Sequence, residues 1–201
     1  MSCINNDNLM LGDYVKNMRK IGVILARFQP IHNGHLALIK KASEENDAVH
    51  IFIGSADKFN ERNPIPVNIS RELVLNAINE ANIKNCSIHL LDDLTNETDN
   101  SHDWGFYLYS KVVTEIQQSN FTIYYSDGFE IITSWFPGFL LRNNVSLSLL
   151  ARNATELGIC ATEVRNMILK NADILKECVP TCVYEQRNTI KNLIEISKLK
   201  G

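Results

Sequence analysis

The sequence has no apolar run approaching the ~20 residues that a membrane-spanning helix needs, so a helical membrane span is not expected. It also has no surplus of positive charge. Twenty lysines and arginines face 23 aspartates and glutamates, for a net charge of -3. Such a chain is poorly suited to a polyphosphate duplex, and no nucleic-acid partner is expected. Paired cysteines are missing as well. Cys3, Cys86, Cys160, Cys178 and Cys182 are odd in number and scattered. The nearest two, Cys178 and Cys182, lack the two-residue spacer of zinc and redox motifs. Reduced, partly buried thiols are the expectation. The opening MSCINNDNLMLGDYVKNMRK has no apolar centre of the kind a secretion signal carries, so a cytoplasmic protein is expected. No internal repeat and no low-complexity linker occurs. The organisation read from this is a polar arm over 1–19, followed by one domain over 20–201. At 45% hydrophobic residues the chain has enough apolar surface for a substantial core.

Short apolar runs alternate with helical patterns along that domain. Strands are expected at 21–26, 48–53, 87–91, 121–125 and 145–150, where apolar residues run together between turn signals. Helical spacing predicts helices at 35–42, 69–81, 104–118, 129–136, 162–170 and 180–199, the fourth closed by Pro137-Gly138. The polar, proline-containing stretch 57–68 and the acidic stretch 92–103 read as loops. Strand and helix in alternation imply parallel strands with crossovers. The expected fold is α/β: a doubly wound, mostly parallel five-stranded sheet followed by C-terminal helices. In such a sheet the ligand lies beyond the carboxyl ends of the strands.

The stretch RFQPIHNGHL, 27–36, stands at that place after the first strand. His32 and His35 are three apart and share a face if the turn is helical. Gly34 leaves room for a ligand near the backbone. Arg27 adds a permanent charge with a planar fork, and the helix start adds free N–H groups. Every group here is a donor, which suits a polyphosphate and not a metal, for which carboxylate partners are missing. The alternative, two surface histidines in a loop, stays open on this motif alone. A second cluster, CATEVR at 160–165, also opens a helix, with Thr162 as its expected cap and Arg165 one turn on. A third piece is Arg62-Asn63-Pro64 with Arg71 further along. Each of these two has an ordinary surface reading beside the functional one.

Together the pieces resemble the nucleotidyltransferases with the HxGH signature, and among them the nicotinamide mononucleotide adenylyltransferases of the archaeal type and the similar domain that some bacteria fuse to a Nudix hydrolase. The family pattern GRFQPxHxGH is matched from Arg27 to His35, with Ala26 in place of the leading glycine. ISxTEIR is matched as Ile159-Cys-Ala-Thr-Glu-Val-Arg165, and Val179-Pro180 before an apolar helix fits the family's end. No Nudix domain is expected here. The resemblance implies a Rossmann-like fold and direct in-line transfer of an adenylyl group from ATP to a mononucleotide, with Mg2+ carried on the ATP phosphates and no metal held by side chains. It implies catalytic roles for His32, His35 and Arg165. ATP contacts are implied for Arg27, Phe28, Gln29, Gly34, Asp127, Thr162 and Arg165. Second-substrate contacts are implied for Ser55, Ala56, Asn63, Arg71, Asp92, Asn100 and Trp104. Trp104 is placed either against a flat ring or in the core. The family's small-residue tract after the fourth strand reads Tyr125-Ser126-Asp127-Gly128 here, so the adenine and ribose contacts are left open. The partners implied are small molecules alone, and a homo-oligomer is compatible with them. Three functions are compatible with these residues: nicotinamide mononucleotide adenylylation; another transfer of the superfamily, such as cytidylyl transfer or adenylylation of phosphopantetheine or FMN; and nucleotide binding without turnover.

Overall fold

A computed structural model of the chain describes residues 19–95, 101–127, 129–151 and 158–199. The expected N-terminal arm, apart from Arg19, and the expected contact residue Asn100 lie outside these residues, as does Gly128.

Five strands form one parallel sheet in the order β3-β2-β1-β4-β5. They are β1 (Ile21–Ala26), β2 (Ala48–Ile53), β3 (Cys86–Leu90), β4 (Phe121–Ser126) and β5 (Val145–Leu150). From β1 the chain moves outward through α1 (Asn33–Glu45), β2, α2 (Val67–Glu80) and β3. Then α3 (His102–Ile116) returns it to β4, on the other side of β1. The strand order therefore reverses between β1 and β4, and a ligand crevice belongs at their carboxyl ends.

Side-chain alternation along the strands decides the two layers. In β1, Ile21, Val23 and Leu25 enter one cluster, with α3, α4 (Ile132–Trp135) and α5 (Gly138–Asn143). Ile24 enters the opposite cluster, with α1, α2 and the C-terminal helices. Those are α6 (Ala161–Lys170), α7 (Leu175–Cys178), α8 (Thr181–Glu185) and α9 (Arg187–Lys198). Val23, Ile39, Val49, Ile51 and Ile123 have no exposed surface at all, and each such aliphatic side chain contributes roughly 1.5–3 kcal/mol relative to an exposed one. The C-terminal helices are fastened to α2 by one carboxylate. Glu80 accepts from the Thr181 and Cys182 amides at 3.0 and 2.8 Å, which neutralises the free N–H groups that open α8.

The strands and the alternation stand as expected, with β3 one residue earlier. Three helical expectations need correction. Pro137 and Gly138 end α4, but they also start α5, because proline's fixed φ suits the entry to a helix as well as its exit. The long C-terminal helix is broken at Gln186 into α8 and α9. A single turn, α7, precedes it. Cys86, Cys160, Cys178 and Cys182 are free thiols, as expected. Burial pushes Cys86 up to about 11 and Cys182 up to about 12, so neither is a thiolate at neutral pH. No helix among the described residues is long and apolar enough to cross a membrane.

Candidate active site

The carboxyl ends of β1, β2 and β4, with the turn after β3, open on a cavity of about 320 Å3. Its lining includes Arg27, His35, Ser55, Arg62, Asp93, Trp104, Ser126 and Trp135. A smaller recess of about 100 Å3 shares His35 and Ser126 and adds His32, Gly34, Ala151 and Cys160. The RFQPIHNGH segment and the start of α6 thus meet across the smaller recess, though well over a hundred residues separate them in sequence.

The histidine pair follows from local geometry. His32 is the N-cap of α1 and His35 lies in its first turn, so the three-residue spacing puts both on one face. Their rings stack with centroids 3.8 Å apart and 29° between planes. Phe28 packs on His35 at 4.9 Å. A Cβ on Gly34 would lie 3.1 Å from the His32 ring, so the glycine leaves His32 its place. Phe28 is a non-glycine residue at φ 50°, a conformation costing about 1–3 kcal/mol. It is held there by full burial and by the Ser70 hydroxyl, which donates to its carbonyl at 3.1 Å.

Gln29 does not face the cavity. Its amide pairs at both ends with the backbone of Ile65: Nε2 donates to the carbonyl at 2.9 Å, and Oε1 accepts from the N–H at 2.8 Å. Both polar ends of Gln29's side chain are thus engaged in a buried pair. Its carbonyl accepts from Arg165 Nη1 at 2.8 Å, and Arg165 Nη2 donates to Thr162 Oγ1 at 3.1 Å. Thr162 is not the helix cap. Cys160 is, and Glu163 reaches back to accept from its amide at 2.7 Å. Half-burial lowers the Arg165 pKa from the usual arginine value, but the guanidinium stays charged at neutral pH.

The exits of β2 and β3 are laced together. Ser55, at φ 54°, donates its hydroxyl to Asp93 at 2.9 Å. The Asp93 amide donates to Asp57 at 3.0 Å, and Ala56 N–H donates to the Leu91 carbonyl at 3.1 Å. Tyr107 donates to the Asp92 carbonyl at 3.1 Å. Burial, followed by the charges of Asp92, Asp57 and Asp93, pushes its phenol pKa up. Trp104 is 7% exposed, stacks on Trp135 at 5.5 Å and donates to Thr95 at 3.1 Å. It is packed in the core and also lines the cavity.

Among the expected residues, Arg27, His32, Gly34, His35, Ser55 and Trp104 line the two recesses. Asp127 and Ala56 flank them without lining either. Phe28 is buried behind His35. Asn63 is fully buried, where its amide groups hold the turn to Asn60. Arg71 is exposed on α2 and Asp92 points to solvent. Asp93, Trp135 and Ser126 also line the recesses, as does Arg62 of the third sequence piece. Asp93 lies past the end of β3, and no local feature of the sequence separates it from Asp92 beside it. Among the described residues no group of three or more His, Cys, Asp or Glu could hold a metal ion.

The sheet and its switch-point crevice define a Rossmann-like α/β protein. Residues 23–127 match the model of the cytidylyltransferase-like family, and the chain belongs to that family. A nicotinamide-nucleotide adenylyltransferase of Methanolobus tindarius is 41% identical over 69 residues, 34% of this chain and 40% of that protein. One from Picrophilus torridus is 33% identical over 72 residues, 35% of this chain and 43% of that protein. The alignments span about two-fifths of the length of these curated relatives. A bifunctional NMN adenylyltransferase/ADP ribose pyrophosphatase from Francisella tularensis, complexed with AMP and a manganese ion, has the same fold. Its TM-score is 0.67 at 19% identity, covering 90% of this chain and 52% of that one.

Proposed function

We propose that this chain transfers the adenylyl group of ATP to nicotinamide mononucleotide or its deamidated form, releasing pyrophosphate. The observation that carries the reading is the stacked His32–His35 pair at the start of α1, facing the recess that α6 closes with Cys160. Imidazoles, a helix N-terminus and the guanidinium of Arg165 make a donor set suited to a polyphosphate. The kinship with named nicotinamide-nucleotide adenylyltransferases supports the choice of acceptor.

On this reading a phosphate oxygen of the mononucleotide attacks the α-phosphorus of ATP. The bond from that phosphorus to the bridging oxygen breaks, and its electron pair leaves with pyrophosphate. No side chain forms a covalent bond, so the protein contributes position and charge. His35 donates to the α-phosphate oxygens as charge builds there, and His32 supports it. Arg165 and the free amides of α6 hold the β and γ phosphates. A divalent cation arrives as part of the MgATP substrate; the Francisella tularensis protein's AMP and manganese fit that. The mononucleotide lies in the larger cavity, where Arg27 and Arg62 face its phosphate and Ser55, Asp93 and the Trp104–Trp135 pair border its base. Soluble small molecules are the only partners this requires.

The test is a matrix of ATP and CTP against nicotinamide mononucleotide, its deamidated form, glycerol phosphate, FMN and phosphopantetheine, scoring pyrophosphate and the joined product. Turnover with ATP and a pyridine mononucleotide is expected. Turnover confined to another acceptor, or nucleotide binding without pyrophosphate release, overturns the reading.

A further inference from the structure

We infer that Gln29 is a positioning residue that aims Arg165 at the polyphosphate. The inference rests on the proposed role of Arg165. Gln29 is 6% exposed and Ile65 fully buried. The two hydrogen bonds between them, at 2.9 and 2.8 Å, form a two-point clamp that fixes the amide plane and, through the side chain, the backbone of Gln29. The carbonyl of that same residue receives Arg165 Nη1 at 2.8 Å. A second bond, from Nη2 to Thr162 at 3.1 Å, fixes the rotation of the guanidinium about its own helix. Arg165 is thereby referenced to three segments: α6, the loop after β1 and the 57–66 loop. The last of these also brings Arg62 to the larger cavity. A guanidinium carries five N–H donors in a rigid fork. Two of them are committed to the protein, and the remaining three keep a fixed direction for phosphate oxygens.

A residue that merely holds the fold would weaken both substrates alike. A residue that aims Arg165 weakens the ligands Arg165 holds. The experiment measures dissociation constants of ATP, pyrophosphate and nicotinamide mononucleotide by calorimetry on the full chain, together with melting temperatures. The variants are Gln29→Met, Gln29→Glu, Arg165→Ala and the double Gln29→Met/Arg165→Ala. Gln29→Met keeps the volume and removes both clamp bonds. It is expected to weaken ATP and pyrophosphate about tenfold, the order expected for one hydrogen bond to a charged group, with less than a twofold change for the mononucleotide. In the Arg165→Ala background it should add less than twofold, because its target is gone. Gln29→Glu keeps the acceptor for the Ile65 amide and should fall between, and it carries the test if Gln29→Met does not fold. Unchanged ATP affinity in Gln29→Met, equal weakening of both substrates, or full additivity in the double variant overturns the inference while leaving Arg165 its role. If Arg165→Ala itself binds ATP and pyrophosphate normally, the reading of Arg165 falls first and the inference falls with it.

Discussion

Adding one methyl group to Gly105 tests how the site's aromatic wall is built. Gly105 lies in the first turn of α3, where Gly→Ala would ordinarily stabilise a helix by up to about 1 kcal/mol. Here a Cβ would sit 2.1 Å from the carbonyl oxygen of Trp135, 2.7 Å from its carbonyl carbon and 3.2 Å from the amide nitrogen of Phe136. Ordinary contact begins near 3.4 Å, so the backbones of α3 and α4 must part by more than an ångström. Both obstacles are backbone, which cannot rotate away. Overpacking of this kind costs typically 1–3 kcal/mol. Taking the upper end and subtracting the propensity gain leaves a net loss of about 2 kcal/mol. For a chain of this length that lowers the melting temperature by about 4–8 °C. The readout is specific, since the only two tryptophans of the sequence, Trp104 and Trp135, are stacked across this very contact. Near-ultraviolet circular dichroism should lose the stacked-pair signal, and the Michaelis constant for the mononucleotide should rise more than that for ATP. A melting temperature that rises by a few degrees with an unchanged near-ultraviolet spectrum would refute the argument.

Other substitutions probe separate parts of the molecule. His35→Ala should lower turnover by about two to four orders of magnitude with a smaller change in ATP affinity; near-normal turnover in a folded variant removes it from the chemistry. Trp104→Ala should lose about 3–5 kcal/mol of stability, because the ring is 7% exposed and bonded to Thr95. Both Michaelis constants should then suffer, whereas a variant with native melting temperature and a selective loss of the mononucleotide would make Trp104 a ring-binding surface instead. His50 reports on pH: burial first, then neighbouring His89, lowers its pKa below the ordinary 6.5, while Glu115 opposes the shift and Arg19 adds to it. The unfolded chain takes up a proton near 6.5 that the folded chain refuses, so stability present above that pH is lost as the pH falls below it. Glu45 and Asp57, whose pKa values are also lowered, act only at more acid pH, below the ordinary carboxylate range. His50→Gln should flatten the melting-temperature profile below about pH 6.5; an unchanged slope sinks the assignment.

The sheet was legible because its signal is local. The central strands β1 and β2 are six-residue, mostly apolar runs, and burial on both faces requires that composition whatever the neighbours do. The same holds for α1, α2 and α6, whose apolar spacing and flanking residues are sufficient. The short helices were harder, because four to six residues carry little periodicity. In α4 and α5 it is tertiary packing of Ile132, Trp135 and Leu140 that makes the turns stable. The motif residues at the ends of β1 and α6 were legible as a set of donors, since their types and their places beside a helix start are written in the chain.

What was not legible is the division of labour inside that set. Nothing local distinguishes Gln29, whose amide is turned inward to Ile65, from Arg27 two residues before it, whose side chain reaches the cavity. The difference is made by a loop 36 residues away that presents one carbonyl and one amide at the right spacing. Asp92 and Asp93 make the same point at smaller scale. Their chemistry is identical, and only the register of β3 against β2, in which Leu90 pairs with Ile53, decides that Asp93 meets Ser55. Gly105 is a third such residue. Read alone it is a weak residue in a helix, yet its missing side chain is what lets Trp135 reach Trp104 and form the wall of the cavity. In each case the residue type allows two roles, and a distant backbone atom selects one of them.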